Sequence, residues 1–398
     1  MQKGGGTDLV EQKQSAHKQI NDEAVAELKG RIGIVWKPRR PYFNTAATAD
    51  TIRHFCDGVG DSNPLYTEPE YAKKTEYGSL VAPPSFLYSV YWAAQGRGMP
   101  GIHAWHSGDD WEFYRPILEN DSFSYTNELV DVQVKESEMA GKTVIQYHDI
   151  RYYNQRGELV AKALDWCVRA GRQASRDKGK YSDIKTAVYP PEEMQKIYTS
   201  YESEKIRGDK PRYWEDVEIG EELTPVVKGP LSRRDIYAWL MGAGSPFLKA
   251  HGLALSFLQR HSGSDMVDSQ TGLADVPELV HMEDSSAQTV GLPGAYDYGC
   301  QRISWLCNLL TNWMGDCGFL MRLRGELRRF NVIGDTTWLM GKVTEKRIEG
   351  NQYLVDIECR AVNQRGETTL PGTATVVLPS KAGGEVTYPM PPSTEKND

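Results

Sequence analysis

The sequence predicts an α+β protein made of two copies of one domain. The pentapeptide NQRGE begins at Asn154 and again at Asn363, 209 residues later. Each copy lies among runs of alternating apolar and polar residues, which indicate β-strands joined by a tight turn. Each half also contains an apolar stretch suited to a long helix that covers one face of a sheet, Pro84–Gly96 and Cys300–Gly315. A repeat period of this length is typical of a duplicated domain.

Two further pairs of segments occur in the same order in both halves. FYRPILENDSF (residues 113–123) matches FNVIGDTTW (residues 330–338), which aligns Asp121 with Asp335. TADTIRHFCDGVGD, beginning at Thr48, resembles LSRRDIYAWLMGAGS, beginning at Leu231. Each member of this pair is an apolar-periodic stretch opened by a polar capping residue, which predicts a short amphipathic helix. We therefore expect each half to contain a short helix, a loop, a long apolar helix and then strands.

The predicted domain boundaries follow from these repeats and from composition. The segment Ser175–Gln195 is polar and ends near a Pro-Pro pair, which indicates a linker with a short helix after it. The predicted parts are a lead-in over 1–35, a first domain over 36–172, a linker over 173–210, a second domain over 211–380 with an insertion over 248–278, and a tail over 381–398.

Composition and charge exclude several classes of function. The formal net charge of −8 argues against nucleic acid as the main partner, because affinity there comes from neutralising phosphates. No run approaches the length of about 18 apolar residues that spans a bilayer, and the N-terminal segment lacks an apolar signal-peptide core. We therefore expect a cytoplasmic protein without a membrane span.

The cysteines and histidines do not predict a metal site. Six cysteines are scattered without a CxxC pair, so neither a zinc cage nor a disulfide framework is indicated. The pair His103 and His106 in HAWH has no further ligands at a suitable spacing, so packing is the expected role. The sequence therefore predicts no metal.

Several motifs resemble those of MaoC-like hydratases and dehydratases. GDSNPLY, followed by YAKKTEYGSLVAPPSFL, resembles the hydratase loop of that family, and WEDVEIGEEL, VIGDTTWLMGKV and NQRGETTLPGTATVVLP resemble its opening strand, Gly-Asp turn and closing strands. The resemblance covers roughly residues 40–172 and 211–380. It implies a double hotdog, in which an antiparallel sheet wraps around a long helix in each half. It also implies addition or removal of water across the 2,3-bond of an acyl thioester, with coenzyme A or acyl carrier protein as the carrier and no other cofactor.

The family pattern Asp-x-Asn-Pro-x-His is met only in part by the first half. Asp61, Asn63 and Pro64 match, but Tyr66 stands at the histidine position. A tyrosine, with an ordinary pKa of about 10, is a poor base at neutral pH. Two interpretations stay open: a degenerate half whose Asn63 and Ala82 shape a substrate pocket, or a site in which Asp61 acts catalytically with Tyr66.

In the second half, the resemblance moves the histidine behind an insertion. His281 takes the catalytic position, and Gly299 takes the place of the glycine that opens the central helix. The predicted carboxylate is Asp275, six residues before His281 where the family has five. Asp297 and Tyr298 are expected to touch the thioester or shape the pocket. Further candidates are carboxylates near the histidine and histidines of the insertion: Asp268, Glu278, Glu283, Asp284, His251 and His261.

Alternatives to a hydratase remain open from the sequence. A hotdog thioesterase would use Asp61 or Asp297 as a base. A non-catalytic or repurposed partner subunit is the other alternative, because both halves depart from the family pattern. The tryptophans in and near the central helices favour a bulky acyl group. The expected assembly is a homodimer or a hetero-oligomer with another hotdog subunit.

Overall fold

The structure is a computed structural model of the chain. It describes residues 20–37, 41–92, 99, 102–137, 141–170, 184–260, 266–267 and 272–392. The strands are β1 (Val35–Trp36), β2 (Val81–Ala82), β3 (Ala104–Phe113), β4 (Ile117–Leu118), β5 (Ser124–Ser137), β6 (Gly141–Tyr153), β7 (Leu159–Ala170), β8 (Val226–Lys228), β9 (Met266–Val267), β10 (Ala274–Asp275), β11 (Phe319–Glu326), β12 (Thr337–Glu349), β13 (Gln352–Asn363) and β14 (Thr368–Val377).

The helices within those residues are mostly short. The α-helices are α1 (Asp22–Lys29), α2 (Ala49–Val59), α3 (Pro64–Thr67), α4 (Pro69–Ala72), α5 (Pro191–Ser203), α6 (Arg233–Ala243), α7 (His251–Arg260), α8 (Asp284–Gln288) and α9 (Gly299–Met314). Short 3₁₀ helices cover Pro84–Ser89, Trp214–Asp216 and Pro277–His281. Within the described residues, no helix is long and apolar enough to cross a membrane.

One antiparallel sheet of ten strands runs through both halves. Its order is β1-β5-β6-β7-β3-β11-β14-β13-β12-β8. Each half contributes five strands, and the order in the first half mirrors the order in the second. The halves join where β3 pairs with β11, with Trp111 opposite Leu323. Arg322 closes this junction with two hydrogen bonds to Asp110, at 2.9 and 2.7 Å. The duplication expected from the sequence is therefore confirmed as a double hotdog.

The repeated NQRGE segments form matching turns. Asn154 Oδ1 accepts hydrogen bonds from the backbone N–H groups two and four residues later, both at 3.0 Å. Asn363 Oδ1 makes the same two bonds, at 3.0 and 3.1 Å. The glutamine of each turn then donates to the predicted aspartate pair, to Asp121 at 3.0 Å and to Asp335 at 2.7 Å. The alignment of Asp121 with Asp335 is therefore confirmed.

The two short amphipathic helices pack against each other. Both α2 and α6 begin with a capping box, as the polar residues before them predicted. Both end at a glycine with positive φ, Gly60 at 70° and Gly244 at 71°. Their contact needs glycine inside the helices as well. A Cβ at Gly58 would lie 2.7 Å from the Ala238 carbonyl oxygen. This packing holds the two motif loops at the ends of neighbouring helices.

The prediction of a long helix over Pro84–Gly96 is wrong for its described part. The structure has only a 3₁₀ helix over Pro84–Ser89, and residues 93–96 lie outside the described residues. Beyond the 3₁₀ helix, both the backbone and the side chain of Tyr91 contact the sheet. The Tyr91 carbonyl accepts a hydrogen bond from Tyr152, at 2.7 Å. The ring of Tyr91 stacks on Tyr125, with centroids 4.2 Å apart. The second predicted helix is confirmed as α9, which is buried along its length.

The short helix expected in the linker is present, and the insertion contains more structure than the sequence predicts. Residues 173–183 are outside the described residues, and α5 follows them within the linker. The insertion carries α7, the short β9–β10 pair and the 3₁₀ helix Pro277–His281. Two candidate residues of the insertion, His261 and Asp268, lie outside the described residues. His251 is exposed at the start of α7.

Candidate functional site

The motif loop of the first half folds as its residue types require. After Gly60, Asp61 Oδ1 accepts a hydrogen bond from the backbone N–H of Asn63, at 3.0 Å. Asn63 Oδ1 in turn accepts from the N–H of Leu65 at 3.0 Å and so caps α3, which has Pro64 in its first turn. Asp-x-Asn-Pro is thus a sequence that makes two successive local turns.

Asp61 binds the second half of the molecule. Burial raises its pKa, while the N–H of Asn63, the charge of Lys228 and the side chain of Asn308 on α9 oppose that rise. The Lys228 ammonium also donates to the Gly60 carbonyl, at 2.6 Å. Asp61 is therefore held among groups that join the two halves.

Tyr66 is unsuited to act as a base. It is 3% exposed, and burial together with the nearby Asp61 carboxylate raises its pKa well above the ordinary value. Its hydroxyl therefore stays protonated and is a hydrogen-bond donor. This environment agrees with the interpretation of the first half as degenerate, with a loop that shapes a substrate pocket.

The first-half loop borders a small cavity of about 40 Å³. Asn63, Tyr66 and Ala82 line it, so three residues expected to form the first-half pocket do lie together. The far wall is the end of α9 and the start of β11. Two charged groups, Arg115 and Asp316, face the cavity among mostly apolar side chains.

In the second half, Ser245 takes the position that Asp61 has in the first. Each follows a helix-ending glycine of nearly the same φ. The Ser245 hydroxyl accepts from the backbone N–H of Phe247 at 3.0 Å, which repeats the turn made by Asp61. The hydroxyl also donates to Glu278. The carboxylate missing from this loop is thus supplied by the end of the insertion.

Glu278 is a buried carboxyl group whose pKa lies near neutrality. It is 5% exposed, and Tyr298 donates a hydrogen bond to its Oε1, at 2.9 Å. Burial raises the pKa of Glu278 to about 7, although the hydrogen bonds from Ser245 and Tyr298 and the charge of Lys249 oppose the rise. A general acid or base works best when its pKa lies close to the working pH.

His281 lies on the same short 3₁₀ helix as Glu278, three residues later. Side chains three residues apart eclipse one another in a 3₁₀ helix, so both project to one side. The imidazole stacks on Tyr298, with ring centroids 3.9 Å apart. Its Nδ1 is 3.0 Å from the carbonyl oxygen of Tyr296. Because a carbonyl only accepts, we assign the ring proton to Nδ1, which leaves Nε2 as an acceptor.

Burial lowers the pKa of His281 to about 4, and its bonds to backbone carbonyls only partly oppose this. The imidazole is therefore neutral at pH 7. Glu278 and His281 are joined through one residue, Tyr298, which touches both of them. The described structure thus places a titratable carboxyl group and a neutral histidine on opposite sides of one tyrosine.

Asp275, the carboxylate first expected beside His281, has a different environment. It lies on β10, is partly exposed, and accepts a hydrogen bond from the adjacent N–H of Val276, at 2.7 Å. Among the other candidates, Glu283 is exposed, and Asp284 accepts from the backbone of Ala295. Glu278 is the described carboxylate that shares a partner with His281.

Asp297 and Gly299 have structural contacts that explain their residue types. Both oxygens of Asp297 accept hydrogen bonds from the guanidinium of Arg302, within the core. A Cβ at Gly299 would lie 2.5 Å from Nδ1 of His106 and 2.4 Å from a methyl of Leu327. Only glycine therefore fits there. The expected contact of Asp297 with a substrate does not agree with this pairing.

The start of α9 lies directly beside Tyr298. Tyr298 is the residue before the helix, and its side chain does not cap the first-turn N–H groups, since the hydroxyl is turned to Glu278. The first turn of a helix of this length favours negative charge.

The sequence underestimated two residues of this site. Ser245 was not singled out, although matching the two helix-ending glycines, Gly60 and Gly244, puts it at the place of Asp61. Glu278 was only a substitute for Asp275, because the family spacing led to a carboxylate further from His281. The sequence signal for Glu278 is the spacing Glu-x-x-His directly after a proline, which suits a helical turn.

Comparisons with known sequences match part of the chain. Residues 42–163 match a family model described as the FAS1-like dehydratase domain region. A UPF0336 protein of Streptomyces avermitilis is 28% identical over 142 residues, which cover 33% of this chain and 88% of that protein. A protein of Thermomonospora curvata with the name "Probable enoyl-CoA hydratase alpha subunit" is 25% identical over 131 residues, covering 28% of this chain and 40% of that protein.

Solved structures share the whole architecture. A MaoC-like dehydratase gives a TM-score of 0.61 at 18% identity, over 88% of this chain and 99% of that chain. A conserved hypothetical protein of Mycobacterium tuberculosis, described as a double hotdog, gives 0.52 at 10% identity, over 87% and 96% of the two chains. The double hotdog fold and the resemblance to MaoC-like dehydratases are therefore confirmed.

Proposed function

We propose that this double-hotdog chain of the MaoC-like type is a hydratase or dehydratase that adds or removes water across the 2,3-bond of an acyl-coenzyme A thioester. The observation that carries the proposal is the buried group formed by Glu278, Tyr298 and His281 at the start of α9. The name of the Thermomonospora curvata relative is consistent with this reaction.

The proposed reaction uses two groups with different protonation states. In the hydration direction, Nε2 of neutral His281 takes a proton from water while the water oxygen bonds to C3. The protonated Glu278 carboxyl gives its proton to C2. The N–H groups at the start of α9 stabilise the enolate oxygen that forms between these two events. Dehydration runs through the same groups with their protonation states exchanged.

The aromatic residues near Glu278 support a bulky acyl group. Trp92 lies 6.2 Å from Tyr298 and 6.4 Å from Phe247, measured between ring centroids. The ring of Trp92 also faces Tyr42, at 6.3 Å. Large apolar side chains of this kind bind apolar surface with little loss of side-chain entropy. We therefore propose that the acyl group is wide and apolar.

The test is hydration of a panel of enoyl-coenzyme A esters that runs from short linear to wide cyclic acyl groups. We expect loss of the conjugated-thioester absorbance with the wild-type chain, and a rate about 10²- to 10⁴-fold lower for His281→Ala. Asp275→Asn is the matched control, since it removes a carboxylate that lies outside the group, and it should keep the wild-type rate.

Two results would contradict the proposal. Release of free thiol without hydration, measured with a thiol reagent, would indicate thioester hydrolysis instead. A folded wild-type chain that hydrates no ester of the panel alone, but does so with a second hotdog subunit, would indicate a partner role.

A further inference from the structure

A second buried polar group lies at the junction of the two halves, outside the proposed hydration site. His106 and Asp109 belong to β3, and Asp165 faces Asp109 from β7 in the sheet register. Asp109 and Asp165 are 1% and 2% exposed. One ligand atom from each of the three residues lies within 4.8 Å of the other two. The His106 ring also touches Gly299, so the group lies directly beside the start of α9.

The polar atoms of this group are close together but not satisfied by each other. His106 Nε2 is 2.9 Å from Asp109 Oδ2 and 3.5 Å from Asp165 Oδ2, yet it makes no hydrogen bond. The Oδ1 atoms of Asp109 and Asp165 are also buried without a hydrogen-bond partner. Buried polar atoms without partners are rare and indicate that something else occupies the group.

A divalent cation would satisfy these atoms. Zinc bonds to nitrogen and oxygen ligands measure about 2.0–2.2 Å, so neighbouring ligand atoms of a tetrahedral ion lie about 3.3–3.6 Å apart. The distance of 3.5 Å from His106 Nε2 to Asp165 Oδ2 fits this spacing, and the distance of 2.9 Å to Asp109 Oδ2 would lengthen when the ion binds. Two carboxylates and one neutral imidazole also balance a charge of +2. Burying the carboxylates without such compensation would be costly. One nitrogen and two oxygen ligands suit first-row ions such as Zn²⁺, Fe²⁺ and Mn²⁺.

Neighbouring residues hold Asp109 in place by hydrogen bonds, as is usual for side chains that bind a metal. The hydroxyl of Tyr88 donates to Asp109 Oδ2, and the indole N–H of Trp111 donates to the Tyr88 hydroxyl, at 2.9 Å. Hydrogen bonds of this kind orient the side chains that bind a metal ion and strengthen metal binding. We propose that His106, Asp109 and Asp165 bind one first-row divalent metal ion, which ties β3 and β7 together under the start of α9.

The proposal is independent of the hydration reaction and is tested by binding alone. The full chain is stripped of metal with a chelator, dialysed and titrated with Zn²⁺ and, separately, Mn²⁺. Bound metal is then counted by mass spectrometry after equilibrium dialysis. We expect one equivalent of Zn²⁺ per wild-type chain and a thermal midpoint that rises with the metal concentration.

Variants locate the metal. Asp165→Asn and His106→Gln should lose this equivalent, and Tyr88→Phe should weaken binding about 10- to 100-fold because it only supports Asp109. Asp110→Asn is the matched control, because it removes a carboxylate of the same strand that pairs with Arg322 outside the group. Asp110→Asn should bind as the wild type does.

Two outcomes would overturn the proposal, and the first does not depend on any variant folding. A wild-type chain that retains neither ion would show that His106 is instead an imidazolium paired with the two carboxylates. Burial lowers the pKa of His106, but Asp109 and Asp165 outweigh burial and raise it to about 9 when no metal is bound. Equal binding by the wild type, Asp165→Asn and His106→Gln would place the metal elsewhere.

Discussion

In the first half the residue after the helix-ending glycine is Asp61, and in the second half it is Ser245. Both make the same turn with the backbone N–H two residues later. Beyond this turn the environments differ. Asp61 meets Lys228 and Asn308, whereas Ser245 meets Glu278, whose pKa is about 7. The same local turn therefore anchors the two halves in one place and positions a titratable carboxyl in the other.

The difference shows how a duplicated site can separate its functions. Burial raises the pKa of Asp61, but the charge of Lys228 and the side chain of Asn308 oppose that rise, and these contacts across the two halves suit a structural role. Burial prevails at Glu278 and raises its pKa to about 7 against two hydroxyl donors and the charge of Lys249. The residue at the histidine position of the motif also differs between the two halves. The first half has a buried tyrosine, and the second has a buried neutral histidine stacked on Tyr298.

The largest effect should come from Glu278→Gln, which keeps the size and the hydrogen-bonding atoms of the side chain but removes the transferable proton. We expect the hydration rate to fall about 10²- to 10⁴-fold, measured as kcat on the best ester of the panel. Tyr66→Phe, the matched change at the first-half loop, should leave kcat within about threefold. A large loss for Tyr66→Phe and none for Glu278→Gln would reverse the assignment of the two halves.

The pH dependence of hydration should follow the two second-half groups. Glu278 must be protonated to give its proton to C2, so kcat/KM should fall about tenfold per pH unit above about pH 7. His281 must be neutral, so kcat/KM should also fall below about pH 4. The measurement is a profile of initial rates in the hydration direction. Glu278→Gln should lose the upper limb only, and an unchanged upper limb would assign it to another group.

A change at the first-half loop should affect stability more than chemistry. Lys228→Met removes the cation beside buried Asp61 and the donor to the Gly60 carbonyl. Losing a hydrogen bond made by a charged group costs about 1.5–3 kcal/mol, so we expect a loss of this size in the free energy of unfolding from denaturant titration. Ser245→Ala, at the corresponding place of the second half, should cost less than about 2 kcal/mol. Equal losses would mean that both loops serve the same role.

Elements of the fold that depend on contacts between residues close in the sequence could be predicted, and those that depend on distant residues could not. The NQRGE turns and the caps of α2 and α6 are local, because residues within four positions make their hydrogen bonds, so the duplication was visible. The break after Ser89 was not, because it depends on Tyr152, a residue from a distant strand.

The candidate site was predictable in its histidine and not in its carboxylate. His281 keeps the order of the family motif relative to Gly299. Glu278 was undervalued because the family spacing assumes a carboxylate on the loop after the first helix, where this chain has Ser245. Ser245 and Glu278 are 33 residues apart in the chain. They meet only because the folded insertion returns Glu278, at its end, to the loop that contains Ser245.

The smallest expected effect is that of Tyr298→Phe, for which Tyr66→Phe is the matched change in the first half. Tyr298 donates to Glu278, and this bond lowers the pKa of the carboxyl against the rise due to burial. Tyr298→Phe removes the bond, so the pKa of Glu278 should rise and the upper limb of the pH profile should move to higher pH. Losing one hydrogen bond to a charged group is worth about 1.5–3 kcal/mol, so the limb should move by about one to two pH units. We expect the rate at pH 7 to rise by no more than about twofold, because about half of a carboxyl with a pKa of about 7 is already protonated there. Tyr66→Phe should leave the profile in place, and a shift toward lower pH for Tyr298→Phe would contradict the role of this bond.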